Sequence, residues 1–146
     1  MVIAPSSVDT NLSQLLLEAS IGKIQLPEFQ RDWTWDDDRI RGILASLSQG
    51  YPMGAIMRLE YGNENVKFKY RPIEGVKNAT QIPDYLVLDG QQRLTSMYRA
   101  TCSREPVETK TDKGKDIKRF YYLDIKKCLE LTFENAGLPT YLIGLY

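Results

Sequence analysis

Tyr85-Leu86-Val87-Leu88-Asp89-Gly90-Gln91-Gln92-Arg93-Leu94-Thr95 is the stretch on which the reading of the fold turns. Its first four residues are continuously apolar, as suits a central strand covered on both faces, and a helical pattern begins near Gly90. A strand that runs into a helix through glycine is a place where proteins hold phosphate. The first-turn N–H groups have no intrahelical partner, and the aligned peptide dipoles put partial positive charge there. Gly90 lets a ligand approach the backbone, Gln91 and Gln92 bring amide donors and acceptors, and Arg93 brings a planar fork matched to phosphate oxygens. Asp89 would cap Gln91 or Gln92 N–H and repel a phosphate, unless a divalent cation such as magnesium lies between them. The plainer reading makes Asp89 an ordinary N-cap, Gly90 a turn residue and Arg93 a solvated residue of a scaffold helix.

Upstream, Leu12, Leu15, Leu16 and Ala19 recur at helical spacing after candidate caps Asp9 and Thr10, and Gly22 ends that helix. Ile24 to Leu26 reads as a strand stopped by Pro27, and Glu28 to Trp35 as an ordered loop. Asp36, Asp37 and Asp38 load the start of a second helix whose stripe is Ile40, Ile43, Leu44 and Leu47, closed by Gly50 and Pro52. Ala55 to Tyr61 and Val66 to Arg71 read as a hairpin around Gly62-Asn63-Glu64-Asn65, with Lys67, Lys69 and Arg71 forming a solvated cationic face. Glu74 to Asp84 reads as loop.

Beyond the central stretch, Leu94, Met97, Tyr98 and Thr101 mark the inner side of the third helix, with Gln92, Ser96 and Arg99 outside. Arg104 to Lys118 is charged and without period, which predicts a mobile hairpin loop or partial disorder. Arg119 to Ile125 reads as a strand and Lys126 to Asn135 as a final helix ending at Gly137 and Pro139. Tyr141 to Tyr146 is apolar, which points to a fragment whose remainder would cover it.

The 146 residues suffice for one domain with a real core, and 42% hydrophobic residues is ordinary for a soluble globular chain. Lysine plus arginine equals aspartate plus glutamate at 19 each, so no overall basic field attracts nucleic acid and any such contact is local. Cys102 and Cys128 lack metal-ligand spacing and read as reduced, partly buried thiols of a cytoplasmic protein. No long apolar run or signal peptide is present, so no membrane partner is expected. The absence of histidine removes serine–histidine and cysteine–histidine catalysis, histidine zinc sites and histidine-metal nuclease centres. Carboxylates, lysines and tyrosines are left, with a hard cation as helper, and phosphate chemistry tolerates that restriction.

A second constellation is Leu26-Pro27-Glu28-Phe29-Gln30-Arg31-Asp32-Trp33-Thr34-Trp35. Arg31 can fork onto phosphate or stack on a base, and Gln30 can read a base edge; the tryptophans are better suited to pinning the loop to the core. Together, Ile24 to Arg31, Trp35 with its acidic helix start, Gly50-Tyr51-Pro52 and Leu88-Asp89-Gly90-Gln91-Gln92-Arg93-Leu94-Thr95 resemble the N-terminal domain of GmrSD-type restriction endonucleases. That family belongs to the ParB/sulfiredoxin-like superfamily, and the likeness runs roughly from Leu12 to Thr101.

The resemblance implies an α+β domain, a small mixed sheet flanked by helices, that spans residues 1–146 as one unit of a longer protein. It implies a regulatory domain that binds and hydrolyses a nucleoside triphosphate, in systems of phage defence that cut foreign or modified DNA; the magnesium comes from the reading of Asp89 beside a phosphate. Asp89, Gln91, Gln92 and Arg93 would then be catalytic, with Asp89 holding the metal. Gln30, Arg31, Gly90, Gln92 and Arg93 would bind nucleotide. DNA would be met through the full-length protein, whose histidine-metal nuclease domain these residues do not include, and self-association is an analogy with the superfamily. The rival expectation is a non-enzymatic ParB-like DNA-binding or nucleotide-gated clamp module. A sulfiredoxin-like redox role is disfavoured, since Cys102 lies about three turns along the helix from Asp89.

Overall fold

The structure is a computed structural model that describes residues 6–62, 64 and 67–126, with the backbone of 143–145. Helix α1, Leu12–Ser20, is capped by Asn11 rather than Asp9 or Thr10: Asn11 is extended and its side chain accepts from Ser13 N at 2.9 Å. Its Leu15, Leu16 and Ala19 are buried. Strand β1, Ile24–Pro27, is buried along its whole length and includes Pro27. Helix α2, Asp37–Ser48, starts as its acidic sequence predicts, with Asp36 accepting from Arg39 N at 2.9 Å.

Strand β4, Tyr85–Asp89, is central. It pairs in parallel with β1, Ile24 opposite Tyr85, and antiparallel with β2, Met57–Glu60. Strand β3, Tyr70–Arg71, pairs with the far side of β1, so the sheet order is β2-β4-β1-β3. This overturns the expected hairpin, because β2 and β3 lie on opposite edges. Alternation records which side chains are exposed but carries no information about the partner strand, and the fully buried Leu86 and Val87 need neighbours on both sides.

Helix α3, Gln91–Thr101, follows β4 after one residue, and its Leu94, Met97 and Tyr98 join Leu15, Leu16, Ile24, Leu26, Ile43 and Val87 in the core. Its outer side differs from expectation. Gln92 and Ser96 are buried while Thr101 is exposed, because the 31–35 loop lies along the side that a helical wheel assigns to solvent.

Residues 104–118 form a hairpin, one of the two forms expected, and it is a paired one: β5, Val107–Lys110, pairs antiparallel with β6, Asp116–Arg119. Val107 and Thr109 are buried, and Thr109 Oγ1 donates to the Trp35 carbonyl at 2.6 Å, which anchors the hairpin to the body. The strand expected over Arg119 to Ile125 is broken at Phe120, and β7, Tyr121–Leu123, pairs instead with β8, Ile143–Leu145. The expected helix from Lys126 to Asn135 lies beyond the described residues apart from its first residue, as do Cys128 and most of 141–146. The mixed α+β architecture, a small mixed sheet with helices against it, is as the sequence predicts. Among the described residues no helix is long and apolar enough to cross a membrane.

Candidate functional site

Gly90 joins β4 to α3 in the left-handed region, at φ +90°, and no side chain caps the helix. Asp89 is therefore not the N-cap: it is the last residue of β4, and its largely exposed carboxylate stands 3.6 Å from Arg93 Nη2. The first-turn N–H groups at Gln91, Gln92 and Arg93 are left to whatever approaches that end of the helix. A side chain at Gly90 would meet Ile56 Cγ1 at 3.0 Å, so the turn is held closed by a neighbour as well as by its conformation. Arg93 is committed elsewhere in this state, since Nη1 donates to the Met53 carbonyl and Nη2 to the Ala55 carbonyl at 2.8 Å. It is partly exposed but held back on the turn before β2 rather than free.

The two sequence motifs, more than fifty residues apart, are tied together by glutamines. Gln30 Nε2 donates to the Leu88 carbonyl at 2.8 Å, which brings the 28–35 loop to the end of β4. Gln91 Nε2 donates to the Arg31 carbonyl at 2.5 Å; Gln92 Nε2 donates to the Asp32 carbonyl at 3.0 Å while its Oε1 accepts from Thr34 N at 2.9 Å. A primary amide here plays the part of a strand neighbour, offering one donor and one acceptor to an irregular backbone. Both glutamines are buried, so these bonds form where water does not compete.

The same loop is held from its other side by residues that sequence reasoning passed over. Arg71 Nη2 donates to the Gln30 carbonyl at 3.1 Å and to the Arg31 carbonyl at 3.3 Å, and pairs with Asp32. Arg71 also pairs with Glu74, whose Oε1 accepts from Trp33 N at 2.8 Å. The expected solvated cationic face thus loses its last member to a positioning task. Trp33 Nε1 donates to Ser96 Oγ at 2.8 Å, Ser96 Oγ donates to the Gln92 carbonyl at 2.7 Å, and Arg99 stacks over the Trp33 ring at 4.5 Å. Trp35 packs on the core. Both tryptophans fix the loop, as their sequence setting predicts.

What remains outward on this loop is the Arg31 side chain, exposed and without a partner among the described residues, on a backbone that Gln91 of α3 holds through the Arg31 carbonyl. A free guanidinium on a loop tied to the first turn of a helix suits a phosphate, and an exposed carboxylate suits a hard cation carried by that phosphate. Among the described residues no three metal-ligating side chains cluster on their own. Asp89 is the carboxylate at this junction with the chemistry to ligate a hard cation. Cys102 is exposed rather than partly buried.

A cleft of about 690 Å³ opens between the 33–35 loop, Arg99 and the β5–β6 hairpin. Its carboxylates and lysines are paired, Lys118 with Glu108, Lys110 with Asp116 and Glu74 with Arg71, while Arg99 lies over the Trp33 ring. The hydrogen bond from Lys118 holds the Glu108 carboxyl below its usual range and raises the lysine in return. Next to it, Tyr121 Oη donates to the buried Asp37 at 2.8 Å; burial first, then that bond, raises the phenol well above its usual range. Asp37 also pairs with Arg119 at 3.5 Å, so β6 and β7 are both tied to the start of α2.

An α+β domain whose two motifs meet at a glycine-started helix is the class that this geometry defines. The chain belongs to the family described as GmrSD restriction endonuclease, N-terminal domain, whose model matches residues 12–139. It is also similar to an uncharacterized protein of Methanocaldococcus jannaschii, 33% identical over 132 residues, covering 86% of this chain and 22% of that protein. The chain thus spans about a fifth of the length of that relative. No solved structure matches it.

Proposed function

We propose that this domain binds a nucleoside triphosphate at the start of α3 and, by hydrolysing it, regulates a DNA restriction enzyme whose nuclease lies outside these residues. The observation that supports this most is the meeting of the two motifs: Gln30, Gln91 and Gln92 bring Arg31 to an uncapped helix end. Arg31 and the N–H groups of α3 would take the phosphates. Asp89 is the residue that would hold magnesium, which when bound neutralises phosphate charge. Gln91 and Gln92 act in this reading by holding the loop rather than by touching the reacting atoms.

A second reading draws on the same bonds. Gln91, Gln92 and Arg93 all spend their side chains on backbone carbonyls, which leaves Asp89 to orient water alone and favours a ParB-like, nucleotide-gated module that binds without turnover. Calorimetric titration with ATP, GTP, CTP and UTP plus magnesium, beside a phosphate-release assay on the same sample, separates the two. Binding with release supports the first reading, binding alone the second, and no binding of any nucleotide refutes both.

A further inference from the structure

The cleft between the 33–35 loop, Arg99 and the β5–β6 hairpin has no part in the site at the start of α3. Its volume of about 690 Å³ lies in the range of small-molecule pockets. Both tryptophans of the chain, Trp33 and Trp35, line it, and so give it aromatic surface on which a planar ring can stack.

Arg99 gives the cleft its unspent charge. Its guanidinium lies 4.5 Å from the centre of the Trp33 ring, and its stem lies along Gly75, where an added β-carbon would meet Arg99 Cγ at 3.1 Å. Ring and glycine backbone thus set the side chain from two sides. Among the described residues Arg99 makes no hydrogen bond and no ion pair, so its face is stacked while its N–H donors are free. Each carboxylate of the cleft, by contrast, has a cation of its own: Lys118 for Glu108, Lys110 for Asp116 and Arg71 for Glu74. Lys118 is the main cause of the low Glu108 carboxyl, and Arg99 adds to it from a distance without pairing.

A guanidinium stacked on a ring keeps its donors at the edge of the stack, in the plane that suits an oxyanion. The indoles beside it suit a planar ring joined to that oxyanion. We infer that the cleft is a binding site for a mononucleotide, with the base against the tryptophans and the phosphate on Arg99. It is distinct from the candidate site at the helix start, since Arg99 stands about 12 Å further along α3 than Gln91 at helical rise. Nucleotide binding at α3 is not needed for it.

Because both indoles of the chain line the cleft, tryptophan emission of the 146-residue chain reads its occupancy. Titration with AMP, GMP, CMP and UMP, without magnesium, quenches that emission saturably with at least one of the four. The parent nucleoside and inorganic phosphate, each with half of the contacts, bind about tenfold or more weakly. Arg99→Lys keeps a cation over the ring but loses the fork, and Arg99→Met loses both; each weakens the nucleotide by about tenfold or more. Glu108→Gln removes the carboxylate that competes for Arg99 and tightens binding, which damage to the fold does not do. Arg99→Lys keeps the unfolding midpoint of wild type. No saturable quenching by any of the four, equal affinity for a nucleotide and its nucleoside, or wild-type affinity in both Arg99 variants would overturn the inference.

Discussion

At the residue scale, the chemistry of the site turns on side chains that act through backbone. Gln92 is the clearest case: it satisfies the Asp32 carbonyl and the Thr34 N–H at once. Gln92→Ala leaves both unmet in a buried place, at about 1–3 kcal/mol for each group that water cannot reach, and the midpoint of a urea unfolding curve is the measurement. Arg71 touches the site only through the loop carbonyls. Arg71→Ala is expected to weaken nucleotide binding several-fold, and Arg71→Lys not to restore it, because one ammonium cannot serve two carbonyls and a carboxylate in one plane; titration calorimetry decides. Tyr121 gives a pH signature. Its phenol is raised in the folded chain by burial and by Asp37, so its contribution is complete below the ordinary value of 10.0 and is lost as pH rises beyond it. Wild type therefore loses stability above that pH more steeply than Tyr121→Phe, as read by unfolding at a series of alkaline pH values.

At the element scale, the strand-to-helix passage from β4 to α3 was legible because both periods are strong and glycine punctuates them. The acidic start of α2 was equally plain. The pairing of β2 and β3 was not, since a short alternating strand states its exposure and not its neighbour. Nor was the buried side of α3, because the 31–35 loop that covers it has no period to read. Residues 104–118 look disordered by composition, yet Val107 and Thr109 alternate inward and Thr109 grips Trp35. The turn before β2 carries a prediction of its own. Gly54 sits at φ +78°, and a β-carbon there would collide with Arg93 Nη1. Gly54→Ala should cost about 1–2 kcal/mol for the left-handed backbone alone, and more once Arg93 is displaced from the Met53 and Ala55 carbonyls. Urea unfolding of Gly54→Ala beside Gly62→Ala, whose added carbon meets nothing, isolates the collision.

At the scale of the whole molecule, a chain with no net charge and no histidine has few ways to do chemistry, and it concentrates them. Four elements serve one junction: β4 ends there, α3 begins there, β3 supplies Arg71 to hold the loop, and the loop presents Arg31. Much of the candidate site was visible as motifs. The sequence motifs do not reveal that their glutamines and Arg93 face inward to carbonyls, because an amide or a guanidinium looks the same in sequence whether it meets a ligand or a backbone. The central claim is that this junction is an anion site completed by Arg31. Titration calorimetry of Arg31→Ala against wild type, with a nucleoside triphosphate and magnesium, tests it most directly: the account predicts affinity lower by about tenfold or more with unchanged folding stability, and equal affinities in the two proteins would contradict it.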